Sequence, residues 1–524
     1  MADSNPTAGG GTSAPPAPAN VLDQIISEGN LVRDKQNTKA AEAAERLLSK
    51  FTSEVKTQNI KPDKNKHTAA LIQERIRQID EDISRKLDAI LHNEKFQQLE
   101  ATWRGLAYLV QNSETGTMLK LRVLNVTKDE VAKDLEKAVD VDQSQLFKKL
   151  YEAEYGTFGG HPYSVLVGAY EFGRAAPDVA MLGRIASVAA AAHAPFIAAA
   201  SPALFDLGSF ADLGVPRDLR KALDTTEMAE WREFRKSEDS RYVALVLPRF
   251  LLRRPYHPVN NPVEGFEYTE NVYTNDIHAQ EAEYRSDKEK KKDKQRPRVE
   301  EPKSFLWGNA AWALAARITD AFAKYKWTAA IRGVEGGGRV AGLPVHTFDT
   351  LSGDSAMICP TEVSITDRRE KELSDLGFIS LVHCKGESYA AFFGGATTQQ
   401  PVEYLTDSAT ANARLSASLP YVLAASRFAH YLKVMMRDKV GSFQTRGEIE
   451  KYLNGWIAQY VLLNDDAPQS AKARFPLREA RVDVTEIGGK PGCYNATVFL
   501  RPHFQLEELT ASIRLVAELP QPAA

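Results

Sequence analysis

The sequence predicts a mixed α/β (α+β) fold, and three observations carry that prediction. An apolar stripe through Ile72, Ile76, Ile79, Ile83, Leu87 and Ile90 advances in steps of three and four residues, the signature of an amphipathic helix. After about residue 118, strand-like and helix-like runs follow one another as strand, helix, strand, which points to some parallel pairing. Near the C-terminus, ARVDVTEI and YNATVFLRP alternate apolar and polar residues around the turn GGKPG, as a hairpin does.

The elements follow in order. Residues 1–19 are Gly, Pro, Ala and Ser with almost nothing to bury, so a disordered tail is expected. Asn20 is a candidate N-cap for VLDQIISEG, where Leu22, Ile25 and Ile26 share one face of about two helical turns. A helix that short needs something to dock against, either its own domain or another protein's groove. Ala44, Leu47, Leu48, Phe51 and Val55 line a second helix, and the Ile stripe a third from Thr68 to about Val110. Its charged face, with Glu74, Arg75, Asp80, Glu81, Arg85 and Lys86, reads as solvated. MLKLRVLNV reads as a strand, and Thr127 with Glu130 as a capping box opening the next helix. YSVLVGAYEF is a strand, PDVAMLGRIASVAAAAH a helix, PFIAAAS and RYVALVLPRFLL two more strands.

Residues 284–303 hold nine basic and five acidic residues and no aliphatic except Val299, which predicts an exposed charged loop within 278–303. Beyond it, FLWGNAAWALAARITDAFAKY is helical, and Thr366 to Leu376 is a helix closed by Gly377. The strands FISLVHC and SYAAFFGG follow, then helices from about Ala409 to Lys439, interrupted at Pro420, and from Arg446 to Leu463. The hairpin comes next, and SIRLVAEL is the last strand. The expected division is therefore a tail (1–19), an N-terminal helical segment (20–115), an α/β domain (116–330) and a C-terminal α/β domain (331–524).

Composition narrows the function. With 66 basic and 69 acidic residues the net charge is −3, so neither nucleic acid nor an anionic membrane is expected as a partner. Cys359, Cys384 and Cys493 are far apart and lack CxxC spacing, which fits a reducing compartment and gives no disulfide or zinc framework. The N-terminus lacks a basic region followed by an apolar one, and the longest apolar stretch, Ala186 to Ala203, is broken by His193 and two prolines. A cytosolic protein is expected.

The run AAIRGVEGGGRVAGLP (329–344) poses the question of a phosphate cradle. A Walker loop from Gly333 would need Lys and Ser or Thr after Gly338, where Arg339 and Val340 stand. Gly336, Gly338 and Ala341 satisfy G-x-G-x-x-A, but that pattern binds pyrophosphate only where a helix begins, and Gly342 and Pro344 follow at once. A turn or crossing of elements is the better reading. His383 and Cys384 are neighbours on a strand and point to opposite faces, so they make no catalytic pair. There is no G-x-S-x-G elbow and no HExxH, and no catalytic residue, cofactor or metal is expected.

Long blocks carry a resemblance: YSVLVGAYEF, DSRYVALVLPRFLLRRPY with VEGFEY, FLWGNAAWALAARITDAF, AAIRGVEGGGRVAGLP, CPTEVSITDRREKELSDLGFISLVHCKG, ARLSASLPYVLAASRFAHYLKVMMRDKVGSF and RPHFQLEELTASIRLVAELP. Over roughly residues 100–520 the chain closely resembles the large subunit of the type VI secretion contractile sheath, called TssC, VipB, ImpC or EvpB in different systems. The loop at 278–303 is longer than the family leads one to expect. The resemblance implies a tail-sheath-like fold and pairing with a small sheath subunit (TssB or VipA type), partly through 20–115. It implies a helical polymer around an Hcp inner tube, contraction from a baseplate, and recycling by the AAA+ unfoldase ClpV. It places the unfoldase-binding helix at Leu22, Ile25 and Ile26, and strand exchange between subunits at the terminal strands, with Val482, Val484, Val498, Leu500, Ile513, Leu515 and Val516 as candidates. The alternatives are a cofactor-dependent α/β enzyme and a sheath-like paralogue that forms no tube.

Overall fold

The computed structural model describes residues 68–215, 218–272, 302–349, 355–357, 359–439, 442, 445–486 and 494–503, with Arg46, Ser49, Lys50 and Ser53 ahead of them. The chain divides into two units, Met1–Glu81 and Asp82–Ala524. The one long N-terminal helix expected from the Ile stripe is two: α1 (Thr68–Leu91) and α2 (Glu94–Gln111). Asn93 is the reason, because its side chain accepts from the N–H groups of Lys95 and Phe96 and starts a new helix.

The body is a six-stranded sheet that draws strands from both sides of residue 330. Strands β1 (Leu166–Phe172), β2 (Phe196–Ala200), β3 (Val243–Leu247) and β9 (Phe378–His383) run parallel. β10 (Ala390–Phe392) and β6 (Arg339–Val340) close one side antiparallel, so the order across the sheet is β1-β2-β3-β9-β10-β6. Two short pairs lie outside this sheet, besides the C-terminal hairpin: β4 (Phe250–Leu251) with β5 (Trp307–Gly308) and β7 (Thr347–Asp349) with β8 (Ser355–Met357). Helix α3 (Lys128–Lys137) opens on the expected Thr127/Glu130 capping box.

Helices cover both faces of the sheet, and the strands show why. Val243, Leu245 and Leu247 enter one core with α4 (Ala176–Ala192) and α5 (Ala229–Lys236). Ala244 and Val246, one residue out of step, enter a second core with α6 (Ala311–Tyr325). Strands buried on both faces need unbroken apolar runs, which is what VALVL and FIAAA supply. Each Val, Leu or Phe fully buried here contributes about 1.5–3 kcal/mol. Helix α7 (Asp367–Asp375) ends as expected, with Gly377 at φ +86° leading into β9.

The strand expected at MLKLRVLNV is absent. Met118 to Val126 joins no ladder, and side chains take several backbone carbonyls where it meets β1. Tyr170 donates to the Val126 carbonyl, Lys128 to that of Glu171 and Asn309 to that of Tyr170, and β1 remains the edge of the sheet.

A third core lies in the C-terminal part. Helices α8 (Asp407–Ser416), α9 (Leu419–Lys439) and α10 (Arg446–Ile457) precede the antiparallel hairpin β11 (Leu477–Glu486) and β12 (Tyr494–Pro502). The interruption expected at Pro420 falls just before it, and Pro420 sits in the first turn of α9, where no N–H is required. Trp327 stacks on Phe428 at 4.3 Å, and Leu453, Ile457, Val482 and Val484 complete the core. Among the described residues no helix is long and apolar enough to cross a membrane.

Candidate functional site

The glycine run is a backbone crossing. Gly333 (φ +69°) donates to the Phe392 carbonyl at 2.6 Å, and the Gly338 N–H returns to the Gly333 carbonyl at 2.8 Å. Gly337 (φ +97°) passes so close to Ala330 that a Cβ would stand 2.2 Å from its carbonyl oxygen. A Cβ on Gly338 would stand 2.5 Å from the Phe392 oxygen. Strand β6 follows at once, so no helix N-terminus faces outward. The glycines let one chain segment slip beneath the end of β10.

The hairpin has two unlike edges. Val482 and Val484 are fully buried against α10, and at Val482 the outward backbone of β11 is already engaged. The Val482 N–H donates to Asn454 Oδ1 at 3.0 Å, and Asn454 Nδ2 donates to the Val482 carbonyl at 2.7 Å. Glu450 accepts a longer bond from Val484 at 3.4 Å. Register pairs Val482 with Val498 and Val484 with Ala496, so alternation turns the N–H and C=O of Ala496 and Val498 to the outer side of β12. Among the described residues these groups have no hydrogen-bond partner, whereas Leu500 accepts from Tyr421 at 3.5 Å. Val498 and Leu500 are half-buried on the core side. On the opposite face Arg481 lies over Phe499, 4.8 Å from its ring centre, and pairs with Asp483. Ile513, Leu515 and Val516 lie outside the described residues, as do Leu22, Ile25 and Ile26.

Helix α2 carries a second surface, one the sequence reading missed. Its inner side packs through Leu109 and Gly105, where a Cβ would meet Trp312 at 2.3 Å. Its outer side exposes Phe96, Leu99, Trp103 and Val110, with Leu106 between them half-buried against the second core; Trp103 is 65% exposed. Those steps of three, four, three and four form a heptad seam, the pattern one helix offers another. The signal was present in FQQLEATWRGLAYLV but merged with the Ile stripe of α1. In the second unit α1 also exposes Ile83 and Ile90, and in the first Ile76 and Ile79.

A buried ion network fixes the base of α2. Arg253 bonds to Glu270 and, at 3.0 Å, to Glu100 of α2, while His92 lies 3.3 Å from Glu270. Burial alone would push the Glu270 carboxyl up, but hydrogen bonds from His92 and Arg253 outweigh it and hold the group below the usual range. Burial likewise opposes the charge of Arg253, and the contacts to Glu270 and Glu100 more than offset it. Tyr268 donates to Asp88 at 2.6 Å beside them. The network ties α2 to the segment around Arg253 and Glu270.

In comparison with known proteins, residues 73–399 match the family model described as EvpB/VC_A0108, tail sheath N-terminal domain, and 408–519 that of the tail sheath gpW/gp25-like domain. The type VI secretion system sheath protein TssC1 of Pseudomonas aeruginosa is 46% identical over 487 residues, 92% of this chain and 91% of that one. Among solved structures, the anti-feeding prophage baseplate is similar over 76% of this chain and 83% of that one, at 10% identity and TM-score 0.38. The contracted helical sheath of the same particle is similar over 77% and 85%, at 11% identity and TM-score 0.29. The chain is a contractile-sheath subunit of the tail-sheath class. It belongs to the EvpB/VipB family of type VI secretion sheath proteins.

Proposed function

We propose that this chain pairs with a small sheath subunit of the TssB or VipA type, and that the pairs stack in the cytoplasm as a helical tube around an Hcp inner tube. Contraction from a baseplate expels the inner tube, and the ClpV unfoldase recycles the subunits by gripping Leu22, Ile25 and Ile26. The cycle draws on the free energy released as subunits rearrange into a tighter lattice and requires no active site. The outward seam of α2 is the observation that carries the pairing. Four exposed apolar residues at heptad spacing, with Trp103 mostly exposed and Leu106 bridging to the core, suit burial by a partner helix. The outer edge of β12 supports strand addition between subunits, with the backbone of Ala496 and Val498 as its template.

The test is co-expression of the full chain with the small subunit of its gene cluster, followed by affinity capture and electron microscopy. Wild-type pairs should form tubules, which a scaffolding paralogue would not. The Leu99→Asp/Trp103→Asp variant should keep its urea midpoint, because both side chains are exposed, yet lose capture at least a hundredfold. Undiminished capture would overturn the assignment of the seam.

A further inference from the structure

Where α9 crosses the end of α4, two histidines meet, and among the described residues neither bonds to a carboxylate. His430 of α9 is 1% exposed, and its Nε2 lies 3.0 Å from the Ala192 carbonyl, so Nε2 carries the proton and donates. Its Nδ1 is buried and has no partner among the described residues. His193 closes α4 in the left-handed conformation (φ 50°), its Nδ1 3.3 Å from the Tyr242 hydroxyl and its ring 6.4 Å from that of His430. The ends of the junction belong to different parts of the family pattern, His193 to residues 73–399 and His430 to 408–519.

The charges that act on the pair are positive. From α9, Lys433 lies over the rings of Tyr151 and Tyr155, and Arg427 over Tyr431, each without a carboxylate in salt-bridge range among the described residues. Arg437 of the same helix is tied to the carbonyls of Tyr155 and Thr157 and to Asp438. The turn before β3 brings Arg241, paired with the exposed Glu238 at 3.7 Å, and Asp239, which accepts from Ser187. Tyr155, packed 5.8 Å from the His430 ring, adds no charge. A second proton on His430 would be an N–H without an acceptor, next to two cations. The helix end at Ala192 favours a cation, but too weakly to offset burial among like charges.

We propose that this junction is an acid-sensitive latch: α9 stays seated on the end of α4 only while His193 and His430 are both neutral, and mild acidification releases the C-terminal part from the α/β body. Burial is the largest cause for both; at His430 the bond to the Ala192 carbonyl works against it, Arg427 and Lys433 add to it, and the ring comes to about 3, while burial and Lys433 bring His193 to about 4. The sign follows directly. An opened junction returns both rings to an ordinary value near 6.5, so between about pH 4 and 6.5 the open form binds more protons and acid favours it. Each unit of pH below about 6.5 raises the opening constant up to tenfold per histidine, and up to a hundredfold for the pair.

Two measurements on the full-length chain test this. Amide hydrogen exchange over residues 419–439, corrected for intrinsic rates, should show opening that steepens below pH 6.5 toward a hundredfold per unit. In His430→Phe the dependence should fall to about tenfold, and in His193→Asn/His430→Phe it should vanish. An equal pH dependence in the double variant, or none in the wild type, would overturn the proposal. Independently of any variant, exchange at the imidazole Cε1–H of the wild type should place both rings at least one unit below an ordinary histidine. A value near 6.5 for His430 would refute the latch.

Discussion

Removing Asn454 should unzip the protected edge of the hairpin. In Asn454→Ala the N–H and C=O of Val482 both lose their partner, the bonds of 3.0 and 2.7 Å described above. Val482 is fully buried, and a buried backbone group left without a partner costs about 1–3 kcal/mol. Two such groups, allowing some water to reach the new gap, give an expected loss of about 2–4 kcal/mol, or roughly 30- to 1,000-fold in the folding constant. Urea unfolding read by tryptophan fluorescence suits the question, since Trp327 and Trp456 stand in the same aromatic core. Glu450→Gln is the matched control. Its bond to Val484 is long and its pair with Arg446 is an exposed contact of 3.9 Å, so the change should stay within about 0.5 kcal/mol. Light scattering supplies a second readout, because β11 in the Asn454 variant presents a new free edge and should aggregate faster. A loss below about 1 kcal/mol without added scattering would show that Asn454 does not guard this edge, and the case for two unlike edges would fail.

Other positions invite equally direct tests. Gly338→Ala should cost about 2 kcal/mol or more and lower the melting temperature, because its Cβ would sit 2.5 Å from the Phe392 oxygen, a backbone atom that cannot rotate away; an unchanged melting curve would rule out the crossing as a steric constraint. Arg253→Met should cost about 3–5 kcal/mol by stranding the buried Glu270 carboxylate, and Arg253→Met/Glu270→Leu should restore most of it; urea midpoints that fail to recover would mean the network acts through more than this pair.

The sequence made the body legible wherever burial dictates a pattern. VALVL and FIAAA read as strands because both faces of the sheet are covered, and the Thr127/Glu130 box and Gly377 are local devices whose geometry lies in a few neighbouring residues. MLKLRVLNV misled because alternation records a strand's preference, while pairing depends on whether a neighbour's backbone is free. Here Tyr170, Lys128 and Asn309 take several of those groups, a fact spread over nearly two hundred residues of sequence. The two surfaces proposed for assembly were half legible. The terminal hairpin was plain, but which edge is open depends on Asn454, 28 residues from Val482. The seam of α2 went unread because a heptad stripe looks the same whether it faces a core or a partner, and only the packing of Gly105 on Trp312 tells the two sides apart.

The unequal edges of the hairpin set a valence. A two-stranded ribbon open on both sides could take a strand from either direction and grow into sheets without limit. One whose β11 side is engaged by Asn454 and Glu450, and at Leu477 by Leu462, would leave room for a single guest, beside β12. A joint with one socket makes chains of definite direction, each unit holding one neighbour and being held by one other, and such head-to-tail contacts close into rings or wind into helices. Branching and lateral clumping, the usual hazards of exposed strands, would be checked at such a joint by the side chains of Asn454 and Glu450.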